Sequence, residues 1–124
     1  MASVFTASSD VVYDDGVLWI IRIEPPPPTL LLTGEADETG YQPLVAALAQ
    51  LPGSHGSPAE VHLDLSGLQF CDAAALHAMI ELAADGSRVV VMHSPSAPLQ
   101  ALMRITGWDE LPGLTVVNSP VNSP

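Results

Sequence analysis

Lysine is absent from this chain. Only three arginines, Arg22, Arg88 and Arg104, stand against 14 acidic residues, for a formal charge of −11. A surface so poor in cations argues against nucleic acid and anionic membrane as partners, because both need cationic neutralisation. It permits a basic protein partner. Cysteine occurs once, at Cys71, so no internal disulfide can form, which suits a reducing cytoplasm. Aromatic residues make up 5% of the chain while hydrophobic residues make up 48%, so the core must be aliphatic. No apolar run approaches the ~20 residues of a membrane helix. The first ten residues have neither the basic nor the apolar region of a secretory leader.

At 124 residues the chain is long enough for one core. Residues 1–13 are small, mixed and polar and read as a flexible tail. Residues 118–124 repeat an Asn-Ser-Pro triplet, bury nothing and read as disordered. The domain is therefore expected over residues 14–117. Val17–Ile23 is rich in β-branched residues and reads as a strand. Pro25–Pro28 stops it. Four prolines in a row suit a rigid connector rather than sheet interior; a ligand for a proline-recognition domain is the alternative. Thr29–Thr33 is the next strand, close enough to the first for an antiparallel hairpin.

A polar turn, Gly34–Gly40, leads to a helix over about Tyr41–Leu51, with Pro43 in its first turn and Leu44, Leu48 and Leu51 on one face. The loop of residues 52–58 precedes a strand in which Val61, Leu63 and Leu65 alternate with His62 and Asp64. Asp64 is expected to support a tight turn at Ser66–Gly67. Asp72 then reads as the N-cap of a helix over residues 73–84. That helix buries Leu76, Met79, Ile80 and Ala83 and turns Ala74, His77 and Glu81 outward, and Asp85–Gly86 ends it. Arg88–His93 is a buried strand, Leu99–Thr106 a helix capped by Gly107, and Leu114–Val117 a short last strand. The order is β-β-α-β-α-β-α-β: an α/β domain with a mixed sheet of four to five strands. In such sheets functional surfaces collect at the carboxyl ends of the strands. Here those ends bring Asp37, residues 72–74 and residues 93–96 to one edge.

Three segments carry a resemblance. Leu32-Thr-Gly-Glu-Ala-Asp37, Asp64-Leu-Ser-Gly67 followed by Phe70 and Asp72, and residues 94–107 with Leu99, Leu102 and Ile105-Thr-Gly107 follow one another as they do in the STAS domain (sulfate transporter and anti-sigma factor antagonist) family, over about residues 14–117. The chain resembles an anti-sigma factor antagonist. The resemblance implies a bacterial signalling module without enzymatic activity or cofactor, acting in transcription regulation through a histidine-kinase-like anti-sigma factor that docks on this edge. The implied partner-binding residues are Asp37, Asp72, Ala73, Ala74, His77, Ser94 and Ser96. In the family this helix usually opens Asp-Ser-Ser-Gly-Leu, and a partner kinase phosphorylates the first serine. Here the slots read Asp72-Ala73-Ala74-Ala75-Leu76, so Ala73 stands at the phosphoacceptor position without a hydroxyl. Two interpretations stay open: an antagonist always ready to bind, or an accessory or scaffold subunit of a transporter or a stressosome-like sensory complex. A homodimer is compatible with either.

Some residues also fit structural roles. Asp37 fits a turn cap as well as a partner contact, Asp72 fits a cap first, and His77 with Glu81 fits a solvated pair. Cys71 and His93 near the ends of neighbouring strands raise a nucleophile–base pair or, with His77 or Asp72, a metal site. The spacing matches no compact ligand motif, so a buried inert thiol is the better reading. His55 and His62 build no cluster. No phosphate loop, zinc spacing, nucleophile elbow or basic-aromatic patch is present, so neither a metal nor an enzymatic role is assigned.

Overall fold

Two apolar runs, Leu18–Glu24 (β2) and Thr29–Ala36 (β3), pair antiparallel, with Leu18 opposite Gly34 and Ile23 opposite Thr29. The computed structural model describes residues 8–24, 27–52, 58–84 and 86–119. Expectations for residues 1–7 and 120–124, for Pro25 and Pro26, for the loop around His55 and for Asp85 lie outside the described residues.

The hairpin is closed tightly at its Gly34 end. The Glu35 N–H donates to the Val17 carbonyl at 2.9 Å. Gly34 has φ +100°, and a Cβ placed there would stand 2.0 Å from the Val17 oxygen. Only glycine combines that backbone with that approach.

The described residues form one six-stranded sheet in sequential order, which exceeds the expected four to five strands. The additional strand is Ser8–Asp14 (β1), antiparallel to β2. Residues 8–13 are therefore part of the sheet and not of a tail. Their hydrophobic signal is short, Val11–Tyr13, and a bulge between Val11 and Tyr13 breaks its alternation. The turn that makes the strand is polar. Asp15 accepts from the Val17 and Leu18 N–H groups, each at 2.8 Å, and from the Tyr13 hydroxyl at 2.7 Å. The Leu18 N–H first, then the Tyr13 hydroxyl and the Val17 N–H, hold the Asp15 carboxyl below its ordinary range.

Helix Tyr41–Ala49 (α1), after a 3₁₀ turn at Glu38–Gly40, leads to Ala59–Cys71 (β4), which runs parallel to β3. The tight turn expected at Ser66–Gly67 is instead a bulge within this longer strand. Leu31 pairs with Asp64 but Thr33 with Gly67, so β4 takes three steps where β3 takes two. The Asp64 carboxylate accepts from the Ser66 N–H at 3.0 Å and from its hydroxyl at 2.7 Å. Those are the bonds expected of a turn, and they hold a bend in a strand. At Gly67 a Cβ would meet Thr33 Oγ1 at 3.0 Å, so the bulged strand lies close on β3.

Helix Ala73–Ile80 (α2) continues as a 3₁₀ turn to Ala83 and feeds Arg88–His93 (β5), parallel to β4. Ser96 caps helix Ala97–Thr106 (α3), which starts two residues earlier than expected, and Gly107 ends it in the left-handed region at φ +79°. Leu114–Val117 (β6) closes the sheet parallel to β5. Parallel neighbours joined in sequential order by right-handed crossovers place all three helices on one face of the sheet. The core lies between that face and the helices: Ile20, Leu32, Val61, Leu63, Val90 and Met92 from strands, Leu44, Leu76 and Met79 from helices, all fully buried. No described helix is long and apolar enough to cross a membrane.

Candidate partner-binding edge

The parallel pairing of β3 and β4 carries both strands to one edge. Ala36 lies opposite Cys71, and the Asp72 N–H donates to the Ala36 carbonyl at 3.0 Å. Each strand is followed at once by an aspartate in extended backbone that starts a helical turn. Asp37 Oδ1 accepts from the Thr39 N–H at 3.0 Å, and Asp72 Oδ1 accepts from the Ala75 N–H at 2.8 Å. Both carboxylates thus act as caps. The second oxygen of each accepts no hydrogen bond among the described residues.

The first turn of α2 divides its three alanines. Ala73 and Ala74 are exposed, while Ala75 and Leu76 are fully buried. Two methyls at the tip therefore face solvent beside the Asp72 cap, and the third belongs to the core. One turn on, His77 is exposed; its Nδ1 lies 3.0 Å from Glu81 Oε1, and its ring lies 5.3 Å from that of Trp108. Sequence reasoning passed over Trp108, which reaches this helix only through the turn after α3. It also left Phe70 out of the site. Phe70 is 51% exposed, immediately before the tip and opposite Glu35. A second register shift, between Gly34 and Glu35, breaks the alternation that would have predicted its direction.

Ser94 and Ser96 follow a strand that stops short of this tip. β5 ends with His93 opposite Asp64, before the bulge, while β4 runs on to Cys71. The Ser94 N–H donates to the Val117 carbonyl at 2.7 Å, and the Ser96 hydroxyl accepts from the Leu99 N–H at 3.3 Å. Ser94 is also the only described non-glycine residue with positive φ, at 54°.

Cys71 and His93 do not meet. Cys71 pairs across to β3, and His93 bonds to His62 and Ser119. Burial, with the Asp72 charge second, pushes the Cys71 thiol up to about 12, so it carries no thiolate near neutral pH. No three His, Cys, Asp or Glu side chains among the described residues converge as metal ligands.

The family model described as "Mlab, STAS domain" matches residues 20–116. The chain belongs to the STAS domain family. The match begins in β2, so β1 lies outside it. No curated protein matches the chain. Among solved structures, an anti-sigma factor antagonist from Mycobacterium paratuberculosis is 18% identical, with a TM-score of 0.53 over 89% of this chain and 86% of that one. The anti-sigma factor antagonist SpoIIAA in its unphosphorylated form is 17% identical, with a TM-score of 0.55 over 82% of this chain and 89% of that one. At such identities the likeness is one of fold. It agrees with the mixed α/β architecture expected of a STAS domain.

Proposed function

We propose that this STAS domain is a non-enzymatic protein-interaction module of the cytoplasm that docks a protein partner on the β3–β4 edge, in the manner of an anti-sigma factor antagonist, without a serine switch. The observation that carries this reading is the tip of α2: exposed Ala73 and Ala74 methyls beside the Asp72 cap. Around them stand Asp37, Phe70 and His77, and the acidic Glu35 and Glu38. No hydrogen bond or ion pair among the described residues ties an arginine to this edge. Arg22 pairs with Asp10 and Glu24, and Arg88 donates to the Leu51 and Pro52 carbonyls. An apolar centre with an acidic rim fits a basic partner surface. Ser94 and Ser96 belong to the reading as an outer part of the same surface.

In a phosphoswitched domain a phosphate at the tip adds roughly −1.5 to −2 charge and breaks a docked interface by repulsion and desolvation. With alanine at position 73 that release step has no acceptor. Binding to a histidine-kinase-like anti-sigma factor is then expected to be the same with ATP as with ADP. Calorimetric titration of the full chain against such a partner tests this. Installing the hydroxyl, Ala73→Ser, should create an ATP-dependent loss of binding, and Ala73→Asp should weaken binding about tenfold or more by charge alone. No binding in either nucleotide would sink the reading. The missing hydroxyls at 73 and 74 equally favour a constitutive accessory or scaffold subunit of a transporter or sensory complex. Copurification with an ATPase or a large scaffold, and not with a kinase-like partner, would select it.

A further inference from the structure

The face of the sheet away from the helices carries a chain of polar groups that the partner-binding edge does not use. Glu60 Oε2 lies 2.6 Å from His62 Nε2, His62 Nδ1 lies 2.7 Å from His93 Nε2, and His93 Nδ1 lies 3.1 Å from the Ser119 carbonyl. The two rings stack with centroids 4.9 Å apart. His93 is almost fully buried, and Ser119 is the second residue after β6.

The direction of each bond follows from what each atom can do. A carbonyl only accepts, so His93 Nδ1 carries hydrogen. In a neutral His93 ring, Nε2 is then an acceptor, and His62 Nδ1 must donate to it. At the far end an ionised Glu60 also only accepts, so His62 Nε2 must donate as well. The chain needs three ring N–H groups, whereas two neutral imidazoles carry only two. It closes with one additional proton shared by the pair. With that proton lost, two N–H groups serve three links, and the link left without one, at Glu60, between the rings or at Ser119, sets two acceptors face to face. With a second one gained, two N–H groups collide between the rings and two stacked cations repel.

The charges around the pair are all of one sign. On this face β4 presents Glu60, His62 and Asp64, and Asp64 is buried directly opposite His93. The strands packed alongside add no charge: β3 contributes Thr29 and Leu31 to the same rows, β5 Val91, and β6 Thr115 and Val117. The pair thus faces two carboxylates and no other titratable group in those rows.

We propose that Glu60, His62 and His93 form a proton-counting latch that fastens the chain after β6 to the sheet, closed when the two rings share one extra proton and open on either side of that state. The Ser94 amide, bonded to the Val117 carbonyl at 2.7 Å, sits beside the latch and reports on it. Hydrogen exchange of the full chain, corrected for intrinsic rates, should show Ser94 protection as a bell against pH, falling about tenfold on each side. Glu60→Gln supplies an N–H to a neutral His62, so this variant should keep the acid limb and lose the alkaline one. Nitrogen-15 spectra of the unmodified chain provide a readout free of any folding defect. The His62 and His93 ring-nitrogen signals should change together with Ser94 protection. A flat protection profile, a Glu60→Gln profile with both limbs intact, or His62 and His93 signals that do not follow Ser94 protection would overturn the proposal.

Discussion

The two faces of this sheet are made by the same strands and do different work. Across the covered face, one row runs Leu30, Leu63, Met92 and Val116, apolar from β3 to β6, and ends in Arg22 and Asp10 on β2 and β1. Across the open face, adjacent rows run Ile21, Leu31, Asp64, His93, Val117 and Ile23, Thr29, His62, Val91, Thr115. From β3 to β6 that row lies under helices, where a polar group would need a partner it could not find. The other two meet no described helix, and they hold a carboxylate bonded to Ser66 and two imidazoles bonded to each other. The comparison separates what stabilises the domain from what can respond to its environment.

Leucines 31 and 32 test that separation most sharply, because they are neighbours of one type on opposite faces. Leu32 is fully buried and Leu31 only partly so. Leu32→Ala should lose about 2–5 kcal/mol by urea unfolding, while Leu31→Ala should lose about 1 kcal/mol, because much of that side chain meets water in the folded state. Equal losses would mean that the open face is covered after all.

Removing the cap of α2 should have an intermediate effect. Asp72→Ala frees the Ala75 N–H and should cost about 1 kcal/mol, read as a lower urea midpoint. Asp72→Asn should restore most of it. If docking needs the carboxylate charge, Asn will restore stability without restoring partner affinity.

At Cys71 the sign of the pH dependence follows from the raised thiol. Its folded value of about 12 exceeds the ordinary ~8.5 of an unfolded cysteine. The associated stability is therefore complete below the unfolded value and is lost as pH rises toward the folded one. Alkylation at pH 8 should be slow in the native chain and fast in urea, and Cys71→Ala should flatten the alkaline decline in stability.

The smallest effect belongs to His77. Its pair with Glu81 is exposed on both sides, so His77→Ala should change stability by less than about 0.5 kcal/mol. A loss of partner affinity in that variant would place His77 in the docking surface.

Most elements could be read from residue patterns. β2, β3, β5 and β6 appear as apolar runs, α2 as a run opened by Asp72 and α3 as a run closed by Gly107. What failed did so for stated reasons. β1 is held by the cross-strand pairing and carboxylate turn of a hairpin whose own apolar signal is three residues long. The Ser66–Gly67 step has turn chemistry, yet β3 runs alongside it and makes it a bulge. Of the candidate site, Asp37, Asp72, Ala73 and Ala74 come together as their positions after strand ends suggested. Phe70 could not be read because two register shifts reset the alternation.

Taken alone, the sequence determined the absence of a disulfide, the strong negative charge, the aliphatic core, the strand–helix alternation and the loss of a hydroxyl at position 73. These are local or compositional properties, settled by residue type and spacing. Tertiary structure alone decided that Ala75 points inward from the turn that exposes Ala73 and Ala74. It also kept Cys71 and His93 apart, and joined His62 to His93 across 31 positions. Those outcomes depend on pairing register and on two register shifts between β3 and β4, which move strands against one another and leave no mark in the periodicity of either.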